Sequence, residues 1–275
     1  MDRWSLPDTL ADEVLSYLHV GHPTDLAGVT DLIEEIGQRI PRGSSSKRSA
    51  LDEGRRPEGD DPQPVAEAWL AGHQASWTCW AMSAVAAALI RAGGNFEADV
   101  RGVRRVGDDA PPVDVHSVVA ITDDAGDTWV TDPYFGLGPV PEQGGSWQRP
   151  LLYGELTSLP DRRFHWSASS PQFTGSTLPY VSLTGPLGPA DVRMFCDISV
   201  THSGLPTRPF ATLLLADGCA SLRTTKDDDL VLQVWHASTE PTTTWPDSDL
   251  VQVSSWADGM AALHATAARS RSGTK

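Results

Sequence analysis

The longest apolar run of the chain, Cys79–Ile90, constrains its fold more than any other segment. Nearly all of these residues are good helix formers, so the run predicts a helix that is buried on most of its surface. Ser76 or Thr78 can cap the start of this helix, and the glycines that follow residue 92 suit its C-terminal end. Cys79 would then lie in the first turn. The run is too short to cross a bilayer.

The composition supports a folded protein and excludes several classes of function. The chain has 275 residues, of which 40% are hydrophobic and 21% charged, enough for a sizeable core. Its formal net charge of −15 argues against binding to nucleic acid or to an anionic membrane, because both usually require a basic surface. The three cysteines do not form a disulfide framework pattern, and the N-terminus lacks a secretory pattern. We therefore predict a cytoplasmic protein that binds neither nucleic acid nor membranes.

The remaining elements change from helical to β along the chain. Apolar periodicity predicts helices over residues 8–19, 25–40 and about 64–71. Residues 42–62 are rich in Arg, Ser, Gly, Asp and Pro, and predict a mobile loop. Short β runs follow residue 98, and a last helix is predicted over about 256–270.

Cys79, His116 and Asp132 form the combination that could carry chemistry. A thiol is a useful nucleophile only as the thiolate, which both a helix N-terminus and a neighbouring imidazolium favour. His116 would take the thiol proton, and Asp132 would fix the tautomer of the imidazole and stabilise its charged form. No HExxH, CxxC or other metal-binding spacing is present, so no metal is predicted.

The predicted hairpin brings His116 and Asp132 together. If residues 124–126 form a three-residue loop with Gly126 in the left-handed conformation, Asp123 pairs with Asp127. Asp132 then faces Val118 and lies diagonally from His116 on the same face of the sheet, within reach of its side chain. A register shifted by one residue would place the two on opposite faces.

Each of these residues also has a structural interpretation. A lone cysteine is commonly a small buried hydrophobe, a histidine in a strand can be a satisfied core residue, and an aspartate before Pro133 is typical of a turn. The order, spacing and predicted elements of the three together favour the catalytic interpretation.

The motifs around these residues resemble two related families. Cys79–Gly94, His116–Val119 and Trp129–Gly136 are similar to the corresponding segments of the arylamine N-acetyltransferases and of the transglutaminase-like proteins. Trp129 and Asp132-Pro133 resemble the transglutaminase-like group. Phe135-Gly136, the chain length and the order of helices and strands resemble the acetyltransferases, within the wider papain-like and transglutaminase-like cysteine superfamily.

This resemblance implies an α+β fold in three parts. An N-terminal helical bundle over residues 1–94 would carry the nucleophile helix. A central antiparallel β-barrel over residues 95–190 would carry the histidine and the aspartate. Residues 191–275 would form an α/β lid that is rich in β structure and ends in a helix.

The resemblance also implies an acyltransferase that works by a ping-pong mechanism. Cys79 would take an acyl group from a thioester of coenzyme A or of an acyl carrier protein and pass it to a small-molecule amine, with no permanently bound cofactor. Phe135 matches a pocket position of the family, and with Trp80 and Tyr134 it is expected to bind substrate. Gly136 and Gly138 match the loop beside the thiol cofactor.

Departures from the family pattern indicate a divergent member. The acetyltransferases usually have Arg-Gly-Gly and an aromatic residue directly before the cysteine, where this chain has residues 75–78 with the sequence Ala-Ser-Trp-Thr. They usually have an acidic residue and an asparagine shortly after it, where this chain has Ala81 and Ser83. Relatives of this kind include amide synthases that use carrier-bound acyl thioesters. A transglutaminase-like protease, amidase or hydrolase, and a binding protein with an inert triad, are the alternatives.

Four arginines stand close together in this acidic chain: Arg91, Arg101, Arg104 and Arg105. They could contact the phosphates of coenzyme A or an acidic carrier protein. The alternative is a solvated face of paired charges, and the sequence favours it slightly.

Overall fold

A computed structural model describes residues 4–53, 61–72, 75–105, 115–149, 151–159, 163–169, 178–182, 209–236 and 248–273. The helices in these ranges are α1 (Asp8–Leu18), α2 (Leu26–Arg39), α3 (Ser45–Asp52), α4 (Pro62–Leu70), α5 (Cys79–Ala92) and α6 (Trp256–Ser272). The strands are β1 (Arg42–Gly43), β2 (Phe96–Arg105), β3 (Val115–Asp123), β4 (Thr128–Asp132), β5 (Leu137–Pro141), β6 (Gly144–Arg149), β7 (Leu152–Leu159), β8 (Arg163–Ser169), β9 (Leu178–Ser182), β10 (Phe210–Leu214), β11 (Gly218–Thr224), β12 (Leu230–His236) and β13 (Ser248–Gln252). Within these residues, no helix has the length and apolar character needed to span a membrane.

Helix α5 is the centre of the helical part, as the apolar run predicts. Every residue from Trp80 to Ile90 is buried, and the helix packs on α1, α2 and α4 on one side and on strands β2 and β3 on the other. Thr78 caps its start by accepting a hydrogen bond from the Ala81 N–H at 3.4 Å. A helix that is enclosed in this way fixes the position of its first residue, Cys79, relative to the sheet.

The central β structure is an eight-stranded antiparallel sheet in the order β5-β4-β3-β2-β9-β8-β7-β6. The predicted closed β-barrel is not found, because no ladder joins the edge strands β5 and β6 in the part of the chain that is described. Two prolines explain the open edge. Pro139 and Pro141 stand at alternate positions of β5, so two N–H donors that would point to the same side of the strand are missing.

The C-terminal part forms a second sheet, in the order β1-β10-β11-β12-β13, against which α6 packs. Its edge strand β1 comes from far away in the sequence, within the segment predicted as a mobile loop. That prediction is wrong for residues 42–52, which form β1 and α3, whereas residues 54–60 lie outside the described ranges. A two-residue strand is too short to show periodicity. Two backbone hydrogen bonds with Trp77 hold this strand in place instead. The Gly43 N–H donates to the Trp77 carbonyl, and the Trp77 N–H donates to the Pro41 carbonyl, both at 2.8 Å.

The hairpin between β3 and β4 has the predicted register. Val119 pairs with Thr131 and Thr122 with Thr128, the Asp123 N–H donates to the Asp127 carbonyl, and Gly126 has a φ of 85°. The glycine therefore sets the register that brings the end of β4 beside His116.

The central position of α5 predicts a large loss of stability when its core is truncated. Leu89→Ala removes a fully buried side chain, and we expect the free energy of unfolding to fall by about 2–5 kcal/mol. Leu250→Ala on β13 is the matched control, because 60% of Leu250 is exposed, and it should change the stability by no more than about 0.5 kcal/mol. Urea denaturation measures both, and equal effects of the two variants would contradict this packing.

Candidate active site

Cys79 lies where the start of α5 meets the eight-stranded sheet. It is the first residue of the helix, partly exposed, and it forms a hydrogen bond with His116. The first-turn N–H groups of a helix carry partial positive charge, which favours a thiolate over a thiol. The side chain is therefore in an environment that suits a nucleophile.

His116 and Asp132 meet on the neighbouring strands β3 and β4. The His116 Nε2 lies 2.7 Å from the Asp132 Oδ2, and both side chains are buried. The contact at Nε2 leaves Nδ1 as the nitrogen for the thiol. Asp132 also accepts hydrogen bonds from the Trp166 indole Nε1–H at 3.0 Å and from the Phe135 backbone N–H at 3.2 Å. Three donors therefore surround this buried carboxylate.

The electrostatics of the site favour a thiolate and an imidazolium. Burial lowers the pKa of His116, but Asp132 and Cys79 raise it more strongly, and the resulting pKa is about 10. Burial raises the pKa of the Cys79 thiol, whereas the charge of His116 and hydrogen bonds with His116 and Ser117 lower it, and the net pKa lies below the ordinary thiol value. Both shifts therefore favour the thiolate–imidazolium pair over the neutral thiol and imidazole.

Two serines extend the hydrogen bonds of the thiol into the core. Ser117 contacts Cys79 through both its backbone N–H and its hydroxyl. The Ser117 and Ser83 hydroxyls lie 3.1 Å apart, and the Ser83 hydroxyl is also 3.3 Å from the Ser117 carbonyl oxygen. The Ser117 hydroxyl donates to the Ser83 hydroxyl, which donates in turn to the Ser117 carbonyl oxygen. Ser83 stands one helical turn after Cys79, where the acetyltransferase pattern has an asparagine.

Tyr134 and Phe135 pack edge-on against the imidazole. Their ring centroids lie 5.7 Å and 5.4 Å from that of His116. Phe135 is fully buried and Tyr134 is half-buried. Burial raises the pKa of the Tyr134 hydroxyl well above its usual range, so it stays protonated. Two of the three side chains expected to bind substrate, Tyr134 and Phe135, are thus next to the candidate catalytic residues.

Arg42 lies on the other side of this aromatic pair. Its guanidinium carbon is 5.4 Å from the Phe135 ring centroid and 5.9 Å from that of Tyr134, and its Nη1 donates to the Tyr134 carbonyl at 3.1 Å. Burial lowers the pKa of Arg42, while Cys219, Tyr134 and Asp132 oppose the shift. Burial also raises the pKa of the Cys219 thiol to about 12, so Cys219 is a buried structural thiol rather than a nucleophile.

The other residues expected to bind substrate or cofactor have packing positions. Trp80 is buried in the core between the helices. Gly136 has a φ of 63°, and a Cβ there would lie 2.3 Å from the Leu214 Cδ1. A Cβ on Gly138 would lie 2.4 Å from the Trp147 Nε1. Packing alone therefore accounts for a glycine at each of these two positions. The cofactor role of this loop stays a prediction.

Two of the four clustered arginines have acidic partners. Arg91 pairs with Glu97 at 2.7 Å, and Arg101 lies 3.8 Å from Glu142. The structure therefore shows the predicted paired charges at these two positions, but both arginine side chains are largely buried rather than solvated.

Three contributions to the site were missed by sequence analysis. Trp166 stands on β8, far from Asp132 in the chain, and only a model of the strand order brings the two together. Ser117 adjoins His116 on β3, but side chains alternate along a strand, so the register argument places the two on opposite faces and does not predict the contact of Ser117 with the thiol. Arg42 stands in a segment without apolar periodicity, so no sequence pattern predicted its place in the site.

Comparison with known proteins shows which fold positions these residues. No family model matches the sequence, and no curated protein matches it. Solved structures do match. A cysteine-to-glutamine variant of the Mycobacterium smegmatis arylamine N-acetyltransferase aligns with a TM-score of 0.68 and 20% identity, over 91% of this chain and 89% of that chain. The chain has the arylamine N-acetyltransferase fold.

Other structures with the arylamine N-acetyltransferase fold agree. The Mycobacterium marinum enzyme in complex with CoA has a TM-score of 0.69 and 15% identity, over 94% of this chain and 93% of that one. The Bacillus cereus enzyme with a Cys-His-Glu catalytic triad has a TM-score of 0.66 and 13% identity, over 89% and 92% of the two chains. At these identities the likeness establishes the fold. The chemistry is argued from the residues of this chain.

The contact between Ser117 and the thiol predicts a shift in reactivity with pH. Ser117→Ala removes the hydroxyl donor and keeps the backbone N–H, so the pKa of Cys79 should rise by about half to one unit. The rate of Cys79 alkylation by iodoacetamide, followed against pH by intact mass, measures this shift. Ser146→Ala on the exposed face of β6 is the control and should leave the profile in place. An unchanged profile for Ser117→Ala would show that its hydroxyl does not bond the thiolate.

The indole bond to Asp132 predicts a second effect, on stability. Trp166→Phe keeps an aromatic ring but removes a donor to a buried carboxylate, and should lower the free energy of unfolding by about 1.5–3 kcal/mol. Trp147→Phe is the matched control, since Trp147 is half-buried and its indole makes no hydrogen bond within the described ranges. Chemical denaturation compares the two. A loss for Trp166→Phe no larger than for Trp147→Phe would argue against a stabilising bond.

Proposed function

We propose that this protein is a cysteine-dependent acyltransferase that forms an amide by moving an acyl group from a thioester to an amine. The observation that carries the proposal is the chain of contacts from Cys79 through His116 to the buried Asp132. A thiolate at a helix start, an adjacent imidazolium and an orienting carboxylate are the groups that nucleophilic acyl transfer requires.

In the first half-reaction the Cys79 thiolate attacks the carbonyl carbon of the thioester. The carbonyl oxygen becomes an oxyanion, which N–H groups at the start of α5 are placed to stabilise. When the tetrahedral intermediate collapses, the bond to the donor sulfur breaks. The His116 imidazolium gives its proton to the departing thiolate, leaving a Cys79 thioester and a neutral imidazole.

In the second half-reaction an amine attacks the Cys79 thioester. Neutral His116 accepts the proton that the amine loses, and the Cys79 thiolate leaves as the amide forms. The thiolate and the imidazolium are then restored, so the cycle needs no metal and no redox partner. Asp132 keeps the imidazole in the tautomer that presents Nδ1 to the sulfur throughout.

The donor class follows from chemistry and from the solved structures. A thioester leaves as a stable thiol, which suits exchange with a thiolate. The Mycobacterium marinum enzyme of the same fold binds CoA, which supports acyl-CoA as the donor here. An acyl carrier protein presents the same thioester on a protein and is the alternative donor, and the acceptor is a small-molecule amine.

Intact mass spectrometry of the protein after incubation with acyl-CoA or with acyl-pantetheine tests this proposal. We expect a mass increase equal to the acyl group, located on Cys79 by peptide mapping and absent from Cys79→Ala. Cys219→Ala is the control, because its buried thiol has a raised pKa and should not contribute to the adduct. Addition of an arylamine should then remove the adduct and yield the amide.

Other outcomes separate the alternative functions. An adduct that only water removes would indicate a hydrolase, and an adduct formed from peptides but not thioesters would indicate a transglutaminase-like enzyme. Absence of any adduct, together with slow alkylation of Cys79, would indicate a binding protein with an inert triad.

A further inference from the structure

The guanidinium of Arg42 is a buried cation without a full set of partners. Only 2% of Arg42 is exposed. Its Nη1 is used by the Tyr134 carbonyl, but the buried Nε and Nη2 have no hydrogen-bond partner, and within the described ranges no carboxylate lies at ion-pair distance from Arg42. Asp132, the nearby carboxylate, is already occupied by three other donors.

Burying these two nitrogens without acceptors destabilises the folded protein unless a ligand accepts hydrogen bonds from them. A buried donor that lacks an acceptor loses its bonds to water without compensation, and the cost is larger for a charged group. The fork of N–H groups on an arginine fits a carboxylate, which can accept two parallel bonds from it. The two unpartnered nitrogens of Arg42, Nε and Nη2, lie on one edge of such a fork.

The position of Arg42 indicates which part of a substrate would supply the carboxylate. Arg42 packs on the Phe135 ring, and Phe135 packs on His116, so the cation is one side chain away from the catalytic imidazole. Cys79 is partly exposed while Arg42 is buried, so a group bonded to the Cys79 sulfur that reaches Arg42 extends from the open side toward the interior. The leaving thiol and the incoming amine must exchange from the open side. The acyl group stays attached to Cys79 during that exchange, so it is the part that would occupy the inner side.

We propose that the acyl group carries a carboxylate at its far end, and that Arg42 binds this carboxylate. The donors are then half-thioesters of short dicarboxylic acids. This inference rests on the proposed function, whose chemistry it leaves unchanged. The Cys79 thiolate attacks the thioester carbonyl, the donor thiol leaves with the proton from His116, and the distant carboxylate keeps its charge throughout. The Tyr134 hydroxyl remains protonated and is a second donor beside this path.

Matched pairs of acyl-CoA donors test the inference on the intact protein. Malonyl-CoA is compared with isovaleryl-CoA, and succinyl-CoA with isocaproyl-CoA, since each pair exchanges a carboxylate for a branched alkyl group of similar shape. The rate of Cys79 acylation is followed by intact mass. We expect the charged member of at least one pair to react about ten-fold faster or more, as a charge-assisted bidentate bond predicts.

Variants of Arg42 then assign the preference to this side chain. Arg42→Met should lower the ratio of charged to neutral rates by about ten-fold or more, and Arg42→Lys should keep part of it. Arg223→Met, an exposed arginine on β11, is the control and should leave the ratio as it is. If Arg42→Met fails to fold, the ratios of the unchanged protein still decide the question.

The outcomes distinguish this inference from the proposed function. Equal or faster acylation by the neutral donors in both pairs would overturn the carboxylate inference while supporting acyl transfer. An equal loss for both donor classes in Arg42→Met would reduce Arg42 to a residue that positions the turn after Asp132. If no donor acylates Cys79, the proposed function fails and this inference fails with it.

Discussion

The hydrogen bond between His116 and Asp132 is the interaction on which the site depends. It joins the ends of two strands that only one hairpin register brings together, and it lies in the interior, where a charge without a partner would be unstable. Because Asp132 holds the imidazole, the opposite ring nitrogen faces the start of α5. A helix buried along its whole length then delivers Cys79 to that nitrogen. The reactive thiol is therefore a consequence of how the helical part packs on the sheet.

The surrounding structure offsets the cost of burying these charges. The Asp132 carboxylate has three donors, and its partner His116 makes edge contacts with two aromatic rings. Arg42 is different, because two of its nitrogens are left without acceptors. A folded chain can carry one such unfavourable group where a ligand satisfies it, which is why this position points to the substrate. Arg42 contacts the same turn, residues 132–136, that holds the buried Asp132.

Sequence analysis predicted that Cys79, His116 and Asp132 come together but did not predict the residues around them. The apolar run fixed the helix and the place of Cys79 in its first turn, and Gly126 fixed the register that brings His116 to Asp132. These signals are local, since each depends on a few neighbouring residues. The partner Trp166 depends on the order of strands, which periodicity cannot give. Arg42 lies in a two-residue strand that is held by pairing with β10 and by backbone bonds with Trp77, both distant in the sequence.

The overall architecture was also predicted only in part. The resemblance predicted a closed barrel, whereas the described strands form an open sheet whose edge carries Pro139 and Pro141. Solved structures with 13% to 20% identity share the fold over about nine-tenths of the chain, and no family model matches the sequence. The arrangement of elements is therefore retained while the residues before and after Cys79 have changed. Ser83, at a position where the family pattern has an asparagine, bonds Ser117, which in turn contacts the thiol.

The most direct test of this account is a titration of the Cys79 thiolate by its ultraviolet absorbance, with Cys79→Ser as the blank. The account predicts that the thiolate is present at neutral pH, with a midpoint below the ordinary value of about 8.5, and that His116→Gln moves the midpoint upward by more than one unit. A midpoint at or above the ordinary value, or one that His116→Gln leaves in place, would contradict the ion pair and with it the proposed chemistry.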